Sequence, residues 1–247
     1  MRRIQLAITT LLGLLALAAI AGTTTATAFE TTKILPTPTA TEPLSATITI
    51  LRPGGALVAL GGEKISCRSG LGSVNFTTEN LGTGAIEYKE CTTIVSSLEV
   101  KCWGEADRVE SGIILVTGTV HYWLALEMLT STTTTLVGAF VILQAPFHFK
   151  CGIEGIATEL ILVRGCQASR DDSNERLTKE VVVLAKQWAT GETRILEVLP
   201  ENSSREIKCL PESERETRGF TLSALEGEAL ISSWLQKGRE VTVLLHN

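Results

Sequence analysis

The chain has 247 residues and a formal net charge of −5, from 22 basic and 27 acidic side chains, and only 5% of its residues are aromatic. Nucleic acids and anionic lipids need a basic surface on their partner, so this acidic chain is not expected to bind either. Six cysteines and three histidines are the residues whose chemistry could suggest a more specific class.

The first 28 residues have the pattern of a cleavable signal peptide. Arg2 and Arg3 give a positive start, Ile4–Ala21 carries no charge, and Ala26-Thr27-Ala28 is a small-residue cleavage motif. Cleavage after this motif leaves Phe29 as the mature N-terminus. The alternative is an uncleaved membrane anchor, for which the apolar stretch is just long enough. No later segment offers a second span, so we expect a secreted or cell-surface protein without a transmembrane helix after cleavage.

Residues 29–44 are rich in threonine and proline. Proline fixes φ and lacks a backbone donor, so this segment is predicted to be an extended linker, either a stalk or a loose mature N-terminus. A single β-rich domain is predicted over residues 45–247. The polar stretch at 200–219 is interpreted as a surface loop held in place by one disulfide, or as the boundary of a small C-terminal subdomain.

The remaining chain has the pattern of an all-β protein, because helical periodicity is weak and turn residues recur throughout. This pattern predicts an antiparallel sandwich or barrel-like domain. The charged segment Gln167–Lys179 is interpreted as a turn. Strands are predicted at Ser45–Leu51, Ala56–Leu60, Glu63–Cys67, Ser73–Thr78, Ala85–Tyr88, Ser97–Trp103, Ile113–Leu126, Thr135–Leu143, Phe147–Cys151, Ala157–Val163, Val181–Trp188, Arg194–Leu199, Gly219–Leu222, Ala229–Leu235 and Val241–Leu245.

An even number of cysteines in an exported chain favours disulfide bonds over buried free thiols. The candidates are Cys67, Cys91, Cys102, Cys151, Cys166 and Cys209. No C-x-x-C motif is present, so a zinc site is not expected. Several of these cysteines lie two residues from an apolar residue, as Cys67 does from Ile65, so their sulfurs should face the core. We expect bridges between sheets there, although six cysteines allow fifteen pairings and the residues alone do not choose among them.

No catalytic, cofactor-binding or metal-binding residue is predicted, because the motifs G-x-S-x-G, H-E-x-x-H, G-x-x-x-x-G-K-[ST] and G-x-G-x-x-G are all missing from the sequence. His121 and His148 lie in predicted strands. In His121-Tyr122-Trp123 the tyrosine should face away from its neighbours, and these rings are interpreted as core. Asp171-Asp172 is interpreted as a solvated hairpin tip. Glycosidase chemistry needs two carboxylates, and no pair can be singled out.

Several segments together resemble a family of uncharacterised secreted actinobacterial proteins. They are Ile65-Ser66-Cys67, the strand ends at Cys91 and Cys102, Phe149-Lys150-Cys151-Gly152 and Val163-Arg164-Gly165, within residues 35–191. The resemblance implies an all-β fold and export and brings no catalytic residue. The chain departs from the family at Glu90, where glycine is usual.

Two cysteines, Cys166 and Cys209, are additional to the family pattern. Within the resemblance, this implies that they pair with each other. The four others are then expected to form two bridges among themselves.

The sequence therefore predicts a secreted or cell-envelope protein that acts as a non-catalytic binding or structural module. Its partner would be a cell-wall or extracellular glycan, or a protein. The alternative is a secreted polysaccharide hydrolase with an unidentified carboxylate pair.

Overall fold

The computed structural model describes residues 32–51, 54–59, 64–104, 112–128, 134–153, 159–172, 176–186, 188–189, 192–193, 195–199, 207–208, 212–215 and 219–246. All of them belong to Thr31–Asn247, a compact unit separate from Met1–Glu30. The predicted signal peptide, Phe29 and Cys209 lie outside the described residues.

Strands make up the secondary structure of the described residues, and every pairing between them is antiparallel, which confirms the all-β prediction. None of the described residues forms a helix that is long and apolar enough to span a membrane. The strands are β1 (Lys33–Leu35), β2 (Leu44–Ile50), β3 (Ala56–Ala59), β4 (Lys64–Phe76), β5 (Leu81–Val95), β6 (Leu98–Gly104), β7 (Ile114–Met128), β8 (Thr134–Gly152), β9 (Glu159–Asp171), β10 (Val181–Lys186), β11 (Trp188–Ala189), β12 (Glu192–Thr193), β13 (Ile195–Leu199), β14 (Ile207–Lys208), β15 (Glu212–Arg215), β16 (Gly219–Gln236), β17 (Arg239–Glu240) and β18 (Leu244–His246).

Eight strand positions close into a barrel-like ring. Five positions are filled by the long strands β4, β5, β8, β9 and β16. Each of the other three is filled by two strands placed end to end. These pairs are β2 and β3 between β16 and β4, β7 and β6 between β5 and β8, and β10 and β15 between β9 and β16. The closed pairing selects the barrel-like alternative over the sandwich.

The interior of the ring is filled by two apolar clusters. The first, which we call the tryptophan half, surrounds Trp234, whose ring lies 6.4 Å from that of Phe76. The second, the cystine half, contains four cysteines and Phe149. Tyr88 packs against both clusters, and we call its level the waist. Burial of these side chains is the main stabilising contribution to the fold.

Three of the long strands, β4, β5 and β8, change their side-chain parity at the waist, whereas β9 keeps one parity from Ile161 to Asp171. In β8, Phe140 and Phe149 both face the interior although they are nine positions apart, an odd number, because the register with β9 shifts between Gln144 and Phe147. In a regular strand side chains alternate strictly, so such a bulge is needed to keep both ends apolar on the inside. The irregularity lets a single strand serve both clusters.

Several predicted strands merge in the structure, and this corrects the sequence analysis. The predictions at Glu63–Cys67 and Ser73–Thr78 are parts of the continuous strand β4, and those at Thr135–Leu143 and Phe147–Cys151 are parts of β8. The predicted turn at Gln167–Lys179 is wrong in its first five residues, which continue β9. Hydrogen bonds to neighbours on both sides hold these stretches in the sheet despite local breaks in alternation.

The predicted linker is partly structured. β1 pairs with β18, Ile34 is fully buried in the tryptophan half, and the hydroxyl of Thr32 donates to the Tyr122 carbonyl oxygen over 2.7 Å. Burial of Ile34 outweighs the extended, solvated conformation that the proline content favours. Residues 32–44 are therefore part of the domain.

Candidate functional site

Four cysteines form one row across four neighbouring strands. Cys67 is the cross-strand partner of Cys91, Cys91 of Cys102, and Cys102 of Cys151. The row is joined by two disulfides, Cys67–Cys91 and Cys102–Cys151. These are the two bridges expected among the four cysteines. All four sulfur-bearing side chains face the cystine half, as strand parity predicted.

The expectation of bridges between sheets is wrong. Both disulfides join adjacent strands of one sheet, because the register places the cysteines directly opposite each other. Sequence spacing gives the face of a strand but not its neighbour. Cys166 lies on the outer face of β9 in a third apolar cluster and is disulfide-bonded. Its partner is outside the described residues, as Cys209 is, so the Cys166–Cys209 pair stays a prediction.

The aromatic stretch of β7 divides between two faces, as predicted. Tyr122 is fully buried inside the ring, while His121 and Trp123 stack on the other face with ring centroids 4.0 Å apart. Partial burial lowers the pKa of His121. His148 is exposed, and so is His246. The described part of the chain therefore does not bring its histidines together into a catalytic arrangement.

A row of polar side chains on β9 faces the interior of the ring. Gln167 and Ser169 line the central cavity, and Asp171 accepts a hydrogen bond of 3.1 Å from the Tyr122 hydroxyl. Asp171 is only 9% exposed, so its interpretation as a solvated hairpin tip is wrong. Buried polar groups have a cost unless they are paired, and their clustering in an apolar interior marks a candidate site.

Two apolar cavities meet at the waist. The larger has a volume of about 70 Å³ and is lined by aliphatic side chains of the tryptophan half, including Ile48 and Val183, and by Phe140. The smaller has a volume of about 50 Å³ and lies in the cystine half. Both are bordered by Gly55, Tyr88 and Gln167. These three residues therefore mark the place where the two cavities meet.

Two glycines lie against the same edge of the Tyr88 ring. A Cβ atom at Gly55 would lie 2.8 Å from Tyr88 Cε1, and one at Gly70 would lie 3.3 Å from Tyr88 Cδ1. Only glycine leaves room for this close approach. Burial raises the pKa of Tyr88 to about 12, so the hydroxyl stays protonated and is a hydrogen-bond donor at neutral pH.

The chemistry available at the waist is that of binding. Among the described residues that border the two cavities, the single acidic one is Glu228 at the larger cavity, and strand alternation directs its side chain away from the interior. Hydrolysis of a glycoside needs two facing carboxylates. The described residues also contain no cluster of side chains suited to a metal ion. Sequence reasoning missed this site, although the inward alternation of Ile86 and Tyr88 and the nearby glycines were visible signals.

The sequence matches no protein-family model, no curated protein and no solved structure. The resemblance to a family of secreted proteins stays a prediction. What the fold and the site define is a class: an all-β antiparallel protein with disulfide bonds and an apolar interior site at its waist.

Proposed function

We propose that this chain is an exported, non-catalytic binding protein that holds a small apolar molecule at the waist of its ring. The observation that carries the proposal is the pair of apolar cavities around Tyr88, which are bordered by side chains of the two apolar clusters of the interior. Binding sites for small molecules are commonly apolar cavities with a few convergent polar groups, and Tyr88, Gln167 and Ser169 supply such groups here.

Export is supported by two independent features. The predicted signal peptide directs the chain across a membrane, and the Cys67–Cys91 and Cys102–Cys151 disulfides are compatible with an oxidising compartment, in which such bonds persist. An extracellular or cell-envelope location is therefore part of the proposal.

The cavity volumes limit the size of the ligand. An apolar cavity of about 150 Å³ accepts a benzene ring, and each cavity here is smaller, at about 70 Å³ and about 50 Å³. A ligand the size of one six-membered ring therefore has to occupy both cavities, with Tyr88 at its middle, and has to enlarge them, because together they hold about 120 Å³.

Ligand-observed NMR with cyclohexanone as the probe tests this function. We expect saturable binding to the purified mature protein. Ser169→Leu should abolish binding, because the added side chain enters the larger cavity. Thr119→Leu is the matched control, since Thr119 is exposed on the outer face of β7. Absence of saturable binding to the unmodified protein, or equal binding to both variants, would refute the proposal.

A further inference from the structure

The hydroxyl of Tyr88 has no hydrogen-bond partner among the described residues. Among the described residues, the fully buried side-chain nitrogen or oxygen atom that lacks a hydrogen-bond partner is Trp234 Nε1. Tyr88 Oη is thus not sealed by protein atoms, and it opens on the cavity that the ring borders. An unpaired donor in an apolar site gains free energy when an acceptor arrives.

The lining of the two cavities disfavours an anion. Among the described residues, this lining contains no lysine, arginine or histidine. Strand alternation places the side chain of Glu228 on the opposite face of β16 from Ala229 and Ile231, which pack in the interior. A charged ligand would lose its hydration without gaining a counter-charge.

The second tyrosine of the chain, Tyr122, differs from Tyr88 in its hydrogen bonding. The chain has two tyrosines, both in the ring interior. The Tyr122 hydroxyl already donates to Asp171, whereas that of Tyr88 has its donor available. The two phenols therefore differ in whether the hydroxyl has a hydrogen-bond partner among the described residues.

We propose that the ligand is a neutral molecule with one hydrogen-bond acceptor, such as a ketone or an ester carbonyl oxygen, and that Tyr88 Oη donates to this acceptor. This inference rests on the proposed function, because it names the chemical class that the waist selects. Gln167 and Ser169 border the same cavity, and their polar side chains make it compatible with a polar group on the ligand.

The test compares ligands of one shape in two variants. Cyclohexanone, methylcyclohexane and cyclohexanecarboxylate are titrated against the unmodified protein and against Tyr88→Phe. We expect this substitution to weaken cyclohexanone binding roughly tenfold, the value of one hydrogen bond, and to change methylcyclohexane binding less than about twofold. Cyclohexanecarboxylate should bind neither protein. Tyr122→Phe is the control and should leave both neutral affinities unchanged.

The outcomes separate the inference from the function on which it rests. Equal weakening of both neutral ligands by Tyr88→Phe, or binding of the carboxylate as tightly as the ketone, overturns the inference and leaves the binding function standing. Failure of every ligand to bind the unmodified protein overturns both. A second measurement needs no variant: with ¹³Cζ-labelled tyrosine, cyclohexanone should shift the Tyr88 resonance and not that of Tyr122, and methylcyclohexane should shift neither.

Discussion

Removal of the two disulfides should lower the free energy of unfolding, and the bridge that closes the longer loop should contribute more. The cysteines of the Cys67–Cys91 bridge are separated by 24 residues in sequence and those of Cys102–Cys151 by 49. Chain entropy then gives about 3.4 kcal/mol for the first bridge and about 4.1 kcal/mol for the second. The loops do not overlap in sequence, so the two losses should add to about 7.5 kcal/mol, comparable to the whole stability of a typical domain.

Urea unfolding of the paired variants Cys67→Ala/Cys91→Ala and Cys102→Ala/Cys151→Ala measures these losses. The slope of free energy against urea should also rise, because an uncrosslinked unfolded chain exposes more surface. Replacement of the same pairs by valine is the control for packing and should cost nearly as much as alanine. Losses below about 1 kcal/mol with an unchanged slope would show that the bridges do not act through the unfolded state.

Three further predictions concern the N-terminus, the cysteine row and the waist. N-terminal sequencing of protein recovered from the culture medium should begin at Phe29, and an intact leader there would contradict the predicted cleavage after Ala28. In the variant Cys67→Ala/Cys151→Ala, the two inner cysteines of the row should bond to each other, since directly opposed strand residues lie within disulfide reach; non-reducing peptide mapping would show free thiols if the register were different. Glu90 has a φ of 52°, a conformation that favours glycine. Glu90→Gly should therefore raise the unfolding free energy by up to about 1 kcal/mol, despite losing an exposed ion pair with Arg68, whereas Glu90→Ala should not.

The sequence predicted the positions of the strands better than it predicted their lengths. It placed strands at both ends of β4 and β8 and introduced a break where the alternation of apolar residues changes phase. In the structure the chain continues through that point, because both neighbouring strands supply hydrogen bonds. A bulge absorbs the change in β8, whereas β4 keeps one register with β5 because both strands change parity together. In the sequence, a change in the phase of the apolar alternation looks like a turn. The pairing with neighbouring strands is what shows that the strand continues through the waist.

The candidate site was missed for a related reason. Gln167, Ser169 and Asp171 belong to a polar, charged stretch that local composition assigns to a turn. Their burial depends on β9 continuing along β8, which is a long-range pairing. The glycines beside Tyr88 come from separate segments, and nothing local indicates that they face the same ring. Cavities arise where distant small residues meet, so their positions are not encoded in any single stretch of sequence.

Local chemistry, read from the residues alone, determined the all-β class, the candidate disulfides, the inward direction of the sulfurs and the division of His121-Tyr122-Trp123 between two faces. These depend on side-chain type and on a two-residue period, which are short-range properties. Register and closure were decided only by the assembled chain. The register placed four cysteines in one row, so that the disulfides join neighbouring rather than opposite strands, and the closure of the ring left a space at Tyr88. These features depend on which distant segments become neighbours.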